Sequence, residues 1–270
     1  MSGKNKFFRQ DIRRSLTGIR FWGSMGICLL ILLRPLSGVL AEQILFRSLA
    51  GELSQRTEAT FFQLLSIPFA TSGFTPFAAA FCPLPFSDSF CEDYNSAYSR
   101  HIVIRIGSRR YARGRTLCVM LTGGLMMAAV VLITCLICAG LADQPESEET
   151  VAFMARSVWG RMDLLLLMHG RVVVGLKVML AFLFGSLWAL VGLAVSVIWT
   201  NRYITVIAPF AFYQALWLRL EGKGWNPVYL LRGDSDYIPS LGYIFLVQGT
   251  CILLCFLFCC LGIRMKVERQ

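Results

Sequence analysis

Between Ser87 and Arg115 the chain carries a run that cannot sit in lipid, flanked on both sides by apolar stretches that cannot sit in water. The run opens acidic, with Asp88, Glu92 and Asp93, and closes with Arg100, Arg105, Arg109, Arg110, Arg113 and Arg115. One arginine at a bilayer centre costs about 2.5–3.5 kcal/mol, so six cost on the order of 15–20 kcal/mol. The run is therefore a loop in water, and its positive charge puts it on the cytoplasmic side. The flanking stretches exceed the roughly 18 residues that span a bilayer. With 56% hydrophobic and only 16% charged residues in 270, the chain reads as an integral membrane protein with a single domain, 1–270.

The formal charge of +10 raises the question of nucleic acid. Its distribution answers against it. Cytoplasmic segments sum to +11 and outer segments to −4, with Arg34, Arg171 and Lys177 in or at the ends of spans. That asymmetry is the positive-inside pattern of a multi-pass protein, so nucleic acid is not an expected partner.

The fold class expected is an all-α integral membrane protein. Residues 1–20 are basic, and Phe7, Phe8, Ile12, Leu16 and Ile19 recur at spacings of three and four, which predicts an amphipathic helix on the cytoplasmic membrane surface. A cleaved signal ending near Val39-Leu-Ala41 is the competing reading, opposed by Arg34, Pro35 and the long basic start. Six transmembrane helices follow, at about 21–41, 61–85, 117–142, 172–200, 203–218 and 241–263, with the cytoplasmic loop at 86–116 between the second and third. The second carries Pro68, Pro76, Pro83 and Pro85 and is expected to be kinked or broken. Residues 143–170, with Glu146, Glu148 and Glu149, lie outside, and the apolar run Leu164–Met168 is too short to span. Residues 221–240 lie outside or dip back into the membrane. Both termini are cytoplasmic.

Within the loop, Ser89-Phe-Cys-Glu92 fits a capping box, in which the serine accepts an amide and the glutamate reaches back. The helix it starts runs through Tyr94, Tyr98 and Ile102 to a stop at Gly107, and Ser108 starts the next. Catalytic patterns are missing. The chain lacks GxxxxGK[ST], HExxH and GxSxG, and its two histidines, His101 and His169, have no cysteine at zinc spacing. Ten cysteines, mostly in apolar runs and including Cys135-Leu-Ile-Cys138, read as packing residues. Arg34 lies two-thirds along the first span, where it lines a translocation path or snorkels outward. Lys177, two turns into the fourth, poses the same choice.

The order of a Pro-rich second span, then Ser87-Asp-Ser-Phe-Cys-Glu-Asp-Tyr-Asn-Ser-Ala-Tyr98, Ile104-Arg-Ile-Gly-Ser-Arg-Arg-Tyr111 and Leu121-Thr-Gly-Gly124 resembles the six-span permease subunits of bacterial type-2 ABC transporters. Trp188-Ala-Leu-Val-Gly-Leu-Ala-Val-Ser196, Asn201-Arg-Tyr203, Ala208-Pro-Phe210 and Asn226-Pro227 are similar to later parts of that family. The resemblance covers the whole chain in layout and about 70 residues in pattern. The arginines at 109–115 and the cysteines of the last span depart from it.

The resemblance implies a non-enzymatic membrane subunit of an ATP-driven exporter in the bacterial cell membrane. The chain itself binds no cofactor, and ATP belongs to a separate ATPase subunit. Partners are that ATPase, a second permease subunit and membrane lipids. The coupling helix falls at about 92–106, with Glu92, Asp93, Tyr94, Tyr98 and Arg100 as ATPase contacts. From their charge rather than from the resemblance, Arg105, Arg109, Arg110, Arg113 and Arg115 are expected to hold it against anionic headgroups. The alternatives are an ATP-independent scaffold using the same loop to recruit a partner and, with no catalytic constellation behind it, a membrane enzyme.

Overall fold

The computed structural model describes residues 4–49, 61–142, 170–232 and 240–269. Within them the chain is helical, with no strand. The helices are α1 (Lys4–Thr17), α2 (Ile19–Leu49), α3 (Phe61–Thr71), α4 (Phe74–Phe81), α5 (Ser89–Asn95), α6 (Tyr98–Ile106), α7 (Ser108–Leu141), α8 (Gly170–Ile198), α9 (Arg202–Arg219), α10 (Pro227–Arg232) and α11 (Leu241–Glu268). Four apolar segments are long enough to cross a bilayer: Ile19–Gly38, Ser108–Leu141, Val174–Ile198 and Gly242–Glu268. The described residues are all helical, and the four apolar helices make the chain a multi-pass membrane protein. The expected acidic cluster at 146–149 and the run Leu164–Met168 lie outside the described residues.

The segment expected as the second span, 61–85, is not one helix. It breaks between α3 and α4 at Gly73, whose φ of 69° lies in the left-handed region that only glycine enters at no steric cost. Pro76 falls in the first turn of α4, where a missing N–H leaves no bond unmade. Side chains take up backbone groups at the break. Ser72 Oγ accepts from the Phe74 amide (3.0 Å), and Thr75 Oγ1 donates to the Phe69 carbonyl (3.1 Å). From α9, Tyr213 Oη donates to the Thr75 carbonyl (2.7 Å) and Gln214 Nε2 to that of Pro76 (2.8 Å). These bonds take up the backbone groups that the break would otherwise leave unpaired. The fifth expected span, 203–218, coincides with α9, whose 18 residues reach about 27 Å. It is not apolar enough to join the four.

The core pair is α7 with α8, and small residues allow its close approach. A Cβ on Gly123 would meet Ala189 Cβ and, at 2.8 Å, the Gly185 carbonyl. A Cβ on Gly124 would run into Phe182 at 2.7 Å, and one on Gly185 into Met127 at 2.8 Å. In lipid, where apolar contact alone drives little association, such backbone proximity is the main source of helix packing energy. The segment at 221–240 includes α10, with Pro227, Val228, Leu230 and Leu231 buried. Asn226 starts it by accepting from the Val228 amide (3.0 Å). Gln248 of α11 donates to the Leu230 carbonyl (3.2 Å).

Candidate functional site: a polar knot at the basic end

The start of α2 and α7, the ends of α8 and α11, the start of α9, and all of α1, α5 and α6 meet at one end of the bundle. Asp88, Glu92 and Asp93 sit at the centre of that meeting. Arg20 of α2 holds Asp88 through both carboxylate oxygens (2.9 and 3.0 Å) and reaches Glu92 with its other Nη (2.9 Å). Arg202 of α9 approaches the same two acids, with Nε 3.0 Å from Asp88 and Nη1 3.6 Å from Glu92. Arg14 of α1 adds looser pairs with Glu92 (3.5 Å) and Asp93 (3.9 Å).

Asp93 points the other way, into the protein. It pairs with Arg115 and accepts from Tyr111 Oη at 3.1 Å. Arg115 is 0% exposed. Its Nη1 lies 3.3 Å from Asp11 of α1, and its guanidinium stands 5.3 Å from the Phe86 ring and 5.6 Å from that of Tyr111. One buried cation thus joins α1, α5 and α7. Burial pushes the Asp11 carboxyl above its ordinary range, with Arg115 and Arg14 pulling it back down. Burial does the same to Asp88, opposed chiefly by Arg20 and reinforced by Glu92. Desolvation outweighing attraction is common for ion pairs taken out of water.

These contacts correct several sequence expectations. The capping box does not form: the N-cap of α5 is Asp88 with no side-chain cap bond, and Ser89 Oγ has no hydrogen-bond partner. The Glu92 carboxylate is drawn to Arg20 instead, because a charged donor at 2.9 Å outcompetes a neutral amide. The single helix over 92–106 is two helices, broken at Ala97 in the left-handed conformation (φ 57°). The stop at Gly107 and the restart at Ser108 are as the sequence indicates. Of the five arginines expected at the membrane surface, Arg115 is wholly internal, while Arg105, Arg109, Arg110 and Arg113 are exposed.

The five contact candidates separate into two groups. Asp93 is buried, Glu92 is partly covered by three arginines, and Tyr94 packs on Phe90 at 5.8 Å and lies under Lys266 at 5.2 Å. Tyr98 and Arg100 are exposed, and they share the outer face of α6 with His101, Ile104 and Arg105. Ile104 is 83% exposed, although its neighbour Ile102 is buried in the core. So α5 is the inner, anchored helix and α6 the outer one. Arg34 is exposed on α2. Lys177 is buried, with Nζ 4.2 Å from the centre of the Phe69 ring.

The sequence reading missed the inner anchors Asp11, Arg14, Arg20, Tyr111 and Arg202. Asp11 carried a signal, as the one acid in the first twenty residues, four positions before Ser15. Ser15 is buried too, accepting from Thr122 Oγ1 of α7 at 2.9 Å. The polar i, i+4 pair marks the face of α1 that meets α7. No cluster of three metal-ligating residues occurs among the described residues. All ten cysteines are free thiols, and Cys138 donates to the Leu64 carbonyl (3.6 Å). Compared with protein-family models, curated proteins and solved structures, the chain matches none.

Proposed function

We propose that this chain is the membrane-spanning permease subunit of an ATP-driven exporter, with α5 and α6 as the coupling element that meets a separate ATPase. The basic end faces the cytoplasm by the positive-inside rule, α3–α4 and α9 complete six crossings, and the membrane is the bacterial plasma membrane. A second permease subunit completes the transporter. The observation that carries this reading is the two-sidedness of α5–α6. The inner helix is tied through Asp88, Glu92 and Asp93 to α1, α2, α7 and α9, while the outer helix offers an aromatic and basic face to water.

A push on α6 therefore passes to α5, from there to α7 through the one buried guanidinium of Arg115, and to α2 and α9 through Arg20 and Arg202. Packed elements with two discrete arrangements pass such a push on as a rigid shift. The chain's part is mechanical, and the ATP chemistry belongs to the partner.

The test is purification of the tagged full chain from its native membrane. An ATP-hydrolysing subunit is expected to copurify, and Arg100→Glu/Arg105→Glu to lose it while the chain still inserts. Retention of the ATPase by that variant sinks the α6 assignment. Absence of any ATPase from the wild-type complex leaves the scaffold reading in its place.

A further inference from the structure

A groove of about 540 Å³ runs along the last three turns of α11 at the basic end. Val197 and Ile198 of α8 and Phe258, Leu261 and Met265 of α11 form its walls. Gly262 keeps the two helices close, since a Cβ there would lie 2.6 Å from Val197 Cγ1. Tyr94, Lys266 and Arg269 close the end that faces water, and no carboxylate lines the groove. Lys266 is fixed in place, with Nζ donating to the Val197 carbonyl at 2.7 Å and standing over the Tyr94 ring. Two ammonium protons remain for an anion.

We infer that this groove is a binding site for an anionic phospholipid, its phosphate between Lys266 and Arg269 and an acyl chain against Phe258 and Leu261. The charge is on one end only, and it is the end at the membrane surface. From Arg269 to Phe258 the helix rises about 16 Å, the depth of one leaflet's acyl region. A soluble anion has no use for the apolar length, and a neutral lipid has none for the two cations. Because Tyr94 belongs to α5, a headgroup bound here touches the inner helix of the polar knot. The site is independent of whether an ATPase docks on α6.

The test uses the full chain in a mild neutral detergent, read by native mass spectrometry and by thermal shift. Dioleoyl-phosphatidylglycerol, dioleoyl-phosphatidylcholine and inorganic phosphate are titrated separately. Phosphatidylglycerol is expected to bind saturably and raise the melting temperature, with phosphatidylcholine and phosphate doing neither. Lys266→Gln/Arg269→Gln is expected to weaken that binding about 30-fold. Leu261→Trp, which fills the apolar half and keeps both cations, is expected to abolish it and guards against misfolding of the first variant. Equal binding of the two lipids, the full shift with phosphate alone, or unchanged phosphatidylglycerol binding in the variants overturns the inference.

Discussion

Replacing Arg115 by methionine is the most informative single perturbation of the polar knot. The side chain is fully enclosed, and its two carboxylate partners, Asp11 and Asp93, are less than a tenth exposed. At 3.3 Å and an effective dielectric near 20, the Arg115–Asp11 attraction alone is about 5 kcal/mol. Desolvation of the ions offsets most of that in the native protein. Methionine removes the attraction but leaves the two acids buried. Breaking a buried pair from one side costs about 3–5 kcal/mol. A chain of this size loses about 2–4 °C per kcal/mol, so thermal unfolding in detergent should fall by roughly 6–20 °C. The same stranded charges define the rescue. Adding Asp11→Asn and Asp93→Asn to Arg115→Met removes the stranded charges and should recover most of the loss. If Arg115→Met melts within about 1 °C of the wild type, or the triple variant is worse than the single one, the buried-charge account is wrong.

Other outcomes follow from the same contacts. Asp11 and Asp88 have carboxyl pKa values above the unfolded value, so the native state holds more protons than the unfolded one just above pH 3.8. Their contribution to stability is therefore greatest below that pH and is lost as pH rises through the raised native values, a slope that Asp11→Asn/Asp88→Asn should flatten in a melting-temperature series. Gly123→Ala forces a Cβ against Ala189 and the Gly185 carbonyl and should destabilise by about 1–3 kcal/mol in the same assay, where a neutral result would mean that α7 and α8 do not pack this closely. Ala97→Gly relieves a left-handed alanine and should stabilise by about 1 kcal/mol without changing ATPase association, since the break between α5 and α6 is kept. Loss of stability there would show that the alanine side chain has packing the strain argument ignores.

Features set by neighbouring residues were readable in the sequence. Gly107 ends α6 because a residue at φ 83° is needed there, and Ser108 begins α7 at the next position. Asn201 falls between the spans expected at 172–200 and 203–218, and it caps α9 by accepting from the Tyr203 amide at 2.9 Å. The prolines announced a broken α3–α4, but the break itself falls at Gly73, which the sequence analysis did not single out. What the sequence hid depends on residues far apart in the chain. Glu92 left its capping role for an arginine 72 positions earlier. Arg115 looked like its basic neighbours, and only the arrival of Asp11 and Asp93 makes its burial tolerable. The break falls on Ala97, although alanine is the strongest helix former, and its local signal is confined to the weak formers Asn95 and Ser96 before it. The inner and outer roles of α5 and α6 follow from that break, so they too were out of reach.

The outer face of α6 is where contact with an ATPase is tested most directly. A photo-crosslinking residue at position 104, on the exposed face, and another at position 99, which is buried, would be compared in cells expressing the full chain. The account predicts an adduct between position 104 and an ATP-hydrolysing subunit, and no such adduct from position 99. Adducts from position 104 that contain lipid or other proteins but never an ATPase would contradict it.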